Sequence, residues 1–286
     1  PAGNPAIGFG LAAISAGASG VDVIDIGFAA KLASTAMVVL LATLIAERAG
    51  AFVGAMIVAL PISAGPAYLF LALDHDAAFI ADSARISLGV NALVPPFLLV
   101  AAMVIRKAGL IPALAAAFVI WGGGAVVVLA TDISLIGAVL LNIVSFIICL
   151  PLSRPLLAQP PSQALRQGYI DIVVRVIAVM AVVGTAIIVG RRLGPEVAGI
   201  AAVAPVVWTS LTVVVYARSG RAACSAILAN GIGGMIGFAM ALPAVALLAG
   251  PLGWPLAFII ALGLCVAWST GLTFARPYIP LYRIAK

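Results

Sequence analysis

Nine apolar stretches, each about the length needed to cross a bilayer, run through the chain at approximately 24–46, 51–73, 78–105, 110–130, 133–151, 170–190, 195–217, 222–249 and 252–274. A helix rising about 1.5 Å per residue needs about 20 apolar residues to span the hydrocarbon. Lipid offers no partner to backbone amides and carbonyls, so each segment must close its own hydrogen bonds, and a helix does so. Strand alternation is absent, which sets aside an outer-membrane barrel. Composition agrees: 65% of the 286 residues are apolar and only 8% are charged, against about 25% charged in soluble domains. Mean hydropathy is +1.29. The fold expected is an all-α integral membrane protein with nine helices. A tenth is counted if the short Gly- and Ala-rich stretch 5–20 also crosses. No cleavable signal peptide pattern stands at the start.

Charge then sets orientation. With nine spans and the N-terminus outside, the inner loops hold Arg48, Arg106, Lys107, Arg154, Arg166, Arg218, Arg221, Arg276, Arg283 and Lys286, and the outer loops hold only Arg191 and Arg192. Lys31, Arg85 and Arg175 fall within spans. The positive-inside rule therefore places the C-terminus in the cytoplasm of a multi-pass inner (plasma) membrane protein, and the Ala-, Val- and Gly-rich composition points to a bacterial one. The net charge of +6 is spread in ones and twos, so it is no nucleic-acid footprint. Cys149, Cys224 and Cys265 sit in apolar runs without CxxC spacing and read as inert buried thiols.

The most informative pattern is a duplication. Lys31 and Arg175 stand 144 residues apart, Gly54 and Gly199 145, and Pro61 and Pro205 144. Ser83 matches Ser225 and Gly89 matches Gly231 at 142, and Pro112 matches Pro255 at 143. Spans one to four thus correspond to spans six to nine, with the fifth between them. Mates separated by an odd number of crossings enter from opposite sides, so the halves are expected to be inverted, an arrangement common in secondary transporters. The chain divides into an apolar N-terminal segment (1–23), a first repeat with linking helix (24–151), a Pro-rich linker (152–168) and a second, inverted repeat (169–286). The order arginine, glycine, glycine, proline at Arg48, Gly50, Gly54 and Pro61, repeated at Arg192, Gly194, Gly199 and Pro205, resembles small bacterial membrane proteins of the GlpM-like type. The resemblance covers two spans per half and implies no catalytic or binding residues.

Several residues are candidates for a solute site. Span two contains Pro61, Ser63, Gly65 and Pro66, and the matching part of span seven contains Pro205, Trp208, Thr209 and Ser210. Proline removes a helical hydrogen bond, and helices interrupted at equivalent places in two halves point to a midplane binding site. Ordinary proline kinks are the alternative. Asp82 and Arg85 share a helix face, either as an anion ligand with its counter-ion or as an interfacial ion pair with Arg85 snorkelling outward. Lys31 and Arg175 either flank a central cavity or snorkel likewise. The mild excess of cations within spans leans toward an anionic solute. Asn142, Ser145 and Asn230 read as interhelical hydrogen-bonding groups. Gly122-Gly123-Gly124 reads as a flexible or closely packed point.

HExxH, GxSxG, P-loop and GxGxxG patterns are absent, His75 is the only histidine, and no acidic cluster is available for a metal. Neither enzymatic chemistry nor a cofactor is expected, and no catalytic or metal-binding residue is assigned. The function read from the sequence is a secondary transporter of a small solute, with membrane lipid and that solute as partners, alone, as a homo-oligomer or in a larger complex. The alternatives are a non-transporting subunit of a membrane complex and a lipid flippase or scramblase.

Overall fold

The structure is a computed structural model that describes residues 32–37, 41, 60–61, 64–157 and 192–279, with isolated helical positions between 173 and 188. The described residues form helices and turns and no strand. The principal helices are α1 (Ala64–Asp74), α2 (Ala77–Asn91), α3 (Val94–Ala108), α4 (Leu110–Ala130), α5 (Leu135–Ser153), α6 (Pro195–Ala202), α7 (Val206–Leu248) and α8 (Trp254–Ala275). Six stretches among the described residues are long and apolar enough to cross a membrane: Ala77–Ala108, Leu110–Ala130, Leu135–Leu156, Pro195–Ala217, Ser219–Leu248 and Trp254–Tyr278. They coincide with the third, fourth, fifth, seventh, eighth and ninth expected spans. Most of spans one and six and the first part of span two lie outside the described residues, as do the segment 5–20 and most of the linker.

The third span is not one helix. α2 and α3 meet at Ala92–Leu93 because Pro95 and Pro96 bring no N–H for the carbonyls of Asn91 and Ala92. A buried carbonyl needs a donor, and α5 supplies one: Ser145 Oγ donates to Ala92 O at 2.7 Å. Asn142 Nδ2 reinforces the last turn of α2 by donating to Leu88 O at 2.7 Å. α4 also fits the break closely. A Cβ on Gly124 would stand 2.6 Å from Leu93 Cδ2, so this end of the glycine run is a packing point, whereas Gly122 and Gly123 face open space.

α2, α3 and α7 form the middle of the protein, where Ile80, Leu88, Phe97, Leu98, Ile105, Leu228, Ile232 and Leu242 are fully buried. α4, α5 and α8 lie outside them and expose Ile111, Val119, Ile136, Ile147 and Ile259. So many large exposed apolar side chains on three helices define a lipid-facing surface.

Two contacts fix which ends lie together. α7 comprises two helical arms joined at the non-helical Gly220 (φ 75°, ψ −173°), where the chain folds back so that Cys224 Sγ lies 3.4 Å from Thr212 O. There Arg221 Nη1 donates to Lys107 O at 3.4 Å, and Tyr216 Oη would lie 3.2 Å from a Cβ on Gly109, which joins α3 to α4. At the other end of α2, Arg85 reaches Asp132 and Ile133 in the α4–α5 turn. Basic Arg106, Lys107 and Arg221 thus share one end, and acidic Asp82 and Asp132 share the other.

Candidate functional site: a crevice between two helix breaks

The first break precedes α1. Pro61 O accepts from Gly65 N at 2.7 Å, and Pro66 falls in the first turn of the new helix, where a missing N–H costs nothing. α1 therefore begins at Ala64 after a non-helical Leu60–Pro61, with Pro66 in its first turn, and the part of span two before Leu60 lies outside the described residues.

The second break separates α6 from α7. Val203 N and Ala204 N donate three residues back, to Ile200 O and Ala201 O at 3.3 and 3.4 Å. Pro205 has no donor to give. Val206 N turns to Ala204 O at 2.7 Å, so the Ala202 carbonyl loses its usual donor. The Val203 carbonyl accepts no backbone hydrogen bond among the described residues.

Both breaks border one cavity of about 40 Å³, whose wall also includes Asn91, Val207, Trp208 and Met235. The structure thus brings Pro61 together with Pro205 and Trp208, which stand 144 and 147 residues further along the chain. Trp208 is buried, and it fits because Gly231 leaves room: a Cβ there would run into the indole ring.

Among the described residues lining this cavity Asn91 alone carries a side-chain amide, and its orientation is fixed by its neighbours. Asn142 Nδ2 gives its hydrogens to Leu88 O and Ala138 O at 2.7 and 2.8 Å, so Asn142 Oδ1 must accept. Asn91 meets it with Nδ2 at 2.9 Å. Asn91 Oδ1 is left buried and without a hydrogen-bond partner. An orphaned buried acceptor costs about 1–3 kcal/mol, so an occupant that donates to it is favoured.

A second cavity of about 460 Å³ adjoins the first at Leu60, Pro61 and Ala64, and is walled by Gly65, Pro66, Tyr68, Phe70, Phe238, Leu242 and Phe258 among others. Its walls are almost wholly apolar. Tyr68 Oη donates to Ser87 Oγ at 2.6 Å, and Ser87 Oγ donates onward to Gly199 O at 2.7 Å. This relay ties α1, α2 and α6 together beside both breaks. Ser83 Oγ adds a bond to Pro195 O at 3.0 Å. α2 and α6 therefore run side by side in the same direction.

The remaining candidates lie elsewhere. Thr209 and Ser210 spend their hydroxyls on their own helix, on Pro205 O and Val207 O at 2.7 and 2.9 Å. Asp82 and Arg85 line neither cavity. Arg85 contacts Asp82 at 3.3 Å, Asp132 at 3.0 Å and Ile133 O at 2.5 Å. Its charge is balanced by carboxylates at an exposed end, the geometry of an interfacial ion pair. Lys31, Ser63 and Arg175 lie outside the described residues. The sequence singled out neither Tyr68 nor Ser87, and it gave Asn91 no role. The available signal was Asn91 standing four residues before Pro95. Cys149, Cys224 and Cys265 are buried and free, and among the described residues no three His, Cys, Asp or Glu side chains gather to hold a metal. Comparison with protein-family models, curated proteins and solved structures gives no match.

Proposed function

We propose that the protein is a secondary transporter in which two inverted halves open one central site to each side of the membrane in turn. The observation that carries this reading is the meeting of the non-helical Pro61, just before α1, and the Pro205 break on a single crevice. Broken helices at matched positions supply backbone polar groups at mid-depth, which continuous helices cannot do.

The inversion draws support from the ends of the helices. The α1–α2 turn at His75–Asp76 and the kink at Gly220 are repeat mates, and so are the caps Gly109 and Gly253, 144 residues apart. The Gly220 kink lies beside Gly109, the far end of the span that begins at Ala77. The two mates in the first pair therefore sit at opposite ends of α2–α3, as an inverted pair would. Arg106, Lys107 and Arg221 at the Gly109 end support a cytoplasmic assignment for that end.

The solute is small, with an apolar portion suited to the 460 Å³ cavity, a size typical of ligand sites. It need carry no negative charge, because Arg85 is already neutralised. The reading is consistent with the GlpM-like resemblance, which itself assigns no solute. Uptake of a labelled panel of small amphipathic solutes into proteoliposomes tests it. Saturable uptake by the native protein, lost in Ala64→Phe, which fills the junction of the two cavities, is the expected result. Absence of flux for every solute, together with stable co-purification of a partner, favours a structural subunit instead.

A further inference from the structure

We infer that the 460 Å³ cavity is a binding site for a single hydrocarbon chain of a membrane amphiphile, which enters it sideways from the bilayer. Three observations carry this. The first is the chemistry of the walls. Tyr68 and Leu69 from α1, Phe238 and Leu242 from the second arm of α7, and Phe258 and Leu262 from α8 set its character. No described wall residue is charged. The polar ones among them, Ser34, Thr35 and Tyr68, already have partners within the protein. Sites for water-soluble ligands place a few polar groups to fix orientation, and the described walls present no free side chain of that kind. Asn91 Oδ1 borders the adjoining crevice, which has room for water, and does not line the larger cavity.

The second is size. A buried water needs about two to four polar partners, which these walls do not offer. An apolar cavity of about 150 Å³ stays dry and takes up benzene or xenon, and this one, at about 460 Å³, has room for a longer chain. Left empty, its lining forfeits dispersion contacts on one side. A flexible alkyl chain supplies those contacts without asking for a hydrogen bond.

The third is the way in. Leu69 and Leu262 line the cavity and yet are 39% and 51% exposed. On α8, Leu262 continues the lipid-facing surface that Ile259 and Val266 form one turn to either side. The cavity therefore meets hydrocarbon between α1 and α8. α1 runs from Ala64 to the turn after Asp74, and α8 returns from Trp254, so this mouth lies in the half of the membrane remote from Arg106, Lys107 and Arg221. Under the positive-inside rule that half is the outer leaflet.

The site stands on this geometry; that the chain belongs to the transported solute rests on the transporter reading. The test is photolabelling of the purified full-length protein in phosphatidylcholine nanodiscs, using hexadecanol with a mid-chain diazirine, with adducts mapped by mass spectrometry. Adducts around Tyr68 and Phe258 that saturate and fall at least tenfold under excess unlabelled hexadecanol support the site, provided that adducts at Ile147 on the lipid-facing α5 do neither. Loss of the saturable adducts in Ala261→Phe, which fills the cavity from α8, supports it further. Wall adducts that are absent in the native protein, or that only track those at Ile147, overturn it even if the variant does not fold. Saturable adducts that persist undiminished in a folded Ala261→Phe protein also overturn it, as does competition by a water-soluble solute but not by hexadecanol. The two readings separate in proteoliposomes. Saturable labelling without flux of any solute keeps the site and removes the transporter, and uptake of a water-soluble solute without saturable labelling keeps the transporter and removes the site.

Discussion

Asn91 and Asn142 illustrate how a polar side chain in lipid is committed by its neighbours. Asn142 makes three hydrogen bonds, to Asn91, Leu88 and Ala138. Replacing it with Leu leaves Asn91 Nδ2 buried without its acceptor, a cost of about 1–3 kcal/mol. Denaturant unfolding of Asn142→Leu in mixed micelles should show a loss of that size. Gly231 poses the opposite problem. Its missing Cβ is the space occupied by Trp208, so Gly231→Ala should displace the indole, cost about 1–3 kcal/mol of overpacking, and shift the tryptophan emission. Arg85 is the contrasting case. Its partners Asp82 and Asp132 are well exposed, and exposed pairs contribute about 0–1 kcal/mol. Arg85→Gln should therefore lower stability only slightly and leave uptake unchanged, and a lost flux would place Arg85 in the transport path. Sequence reasoning left Arg85 between two roles because the third partner, Asp132, lies 47 residues away and no local spacing reveals it.

At the scale of elements, the breaks follow local rules and the caps follow stricter ones. Gly109 (φ 91°, ψ −169°) and Gly253 (φ 76°, ψ 153°) each stand before a helix of 21 or 22 residues. Both occupy a backbone region that side-chain-bearing residues essentially never enter, at a cost of about 1–3 kcal/mol. Gly109→Ala and Gly253→Ala should each lower stability by about that amount, measured by unfolding of the reconstituted protein. The larger penalty is expected at Gly109, where the added Cβ would also stand 3.2 Å from Tyr216 Oη, whereas at Gly253 the nearest atom is Pro255 Cδ at 3.6 Å. Long apolar runs such as 110–130 and 195–217 were legible to within a few residues, because hydrocarbon thickness dictates their length. The split of 78–105 into α2 and α3 was not. Pro95-Pro96 announces a break, but its stability depends on Ser145 and Asn142, which arrive from another helix. Pro66 is the converse case: proline disrupts a helix interior yet suits a first turn, and it stands in the first turn of α1, a start that spacing alone does not reveal.

On the scale of the whole molecule, the transport reading needs two halves that share one site, and the proposed form of that sharing is an inverted pair. The offsets near 144 residues are the sequence basis for proposing the copying, and Pro61 and Pro205 line one crevice. What the sequence could not convey is the chemistry of the crevice. Among its described lining residues the unpaired buried side-chain acceptor is Asn91 Oδ1, invisible to any search for clustered acids, histidines or cysteines. Inverted topology is the claim on which the transport reading turns, and sidedness measures it. The described native cysteines are all buried, so a single cysteine placed at Asp76 or at Ser219 can be labelled in intact cells with a membrane-impermeant maleimide. Labelling at Asp76→Cys from outside, with Ser219→Cys reacting only after the cells are opened, is the result expected for inverted halves. Reaction of both positions from the same side would contradict it.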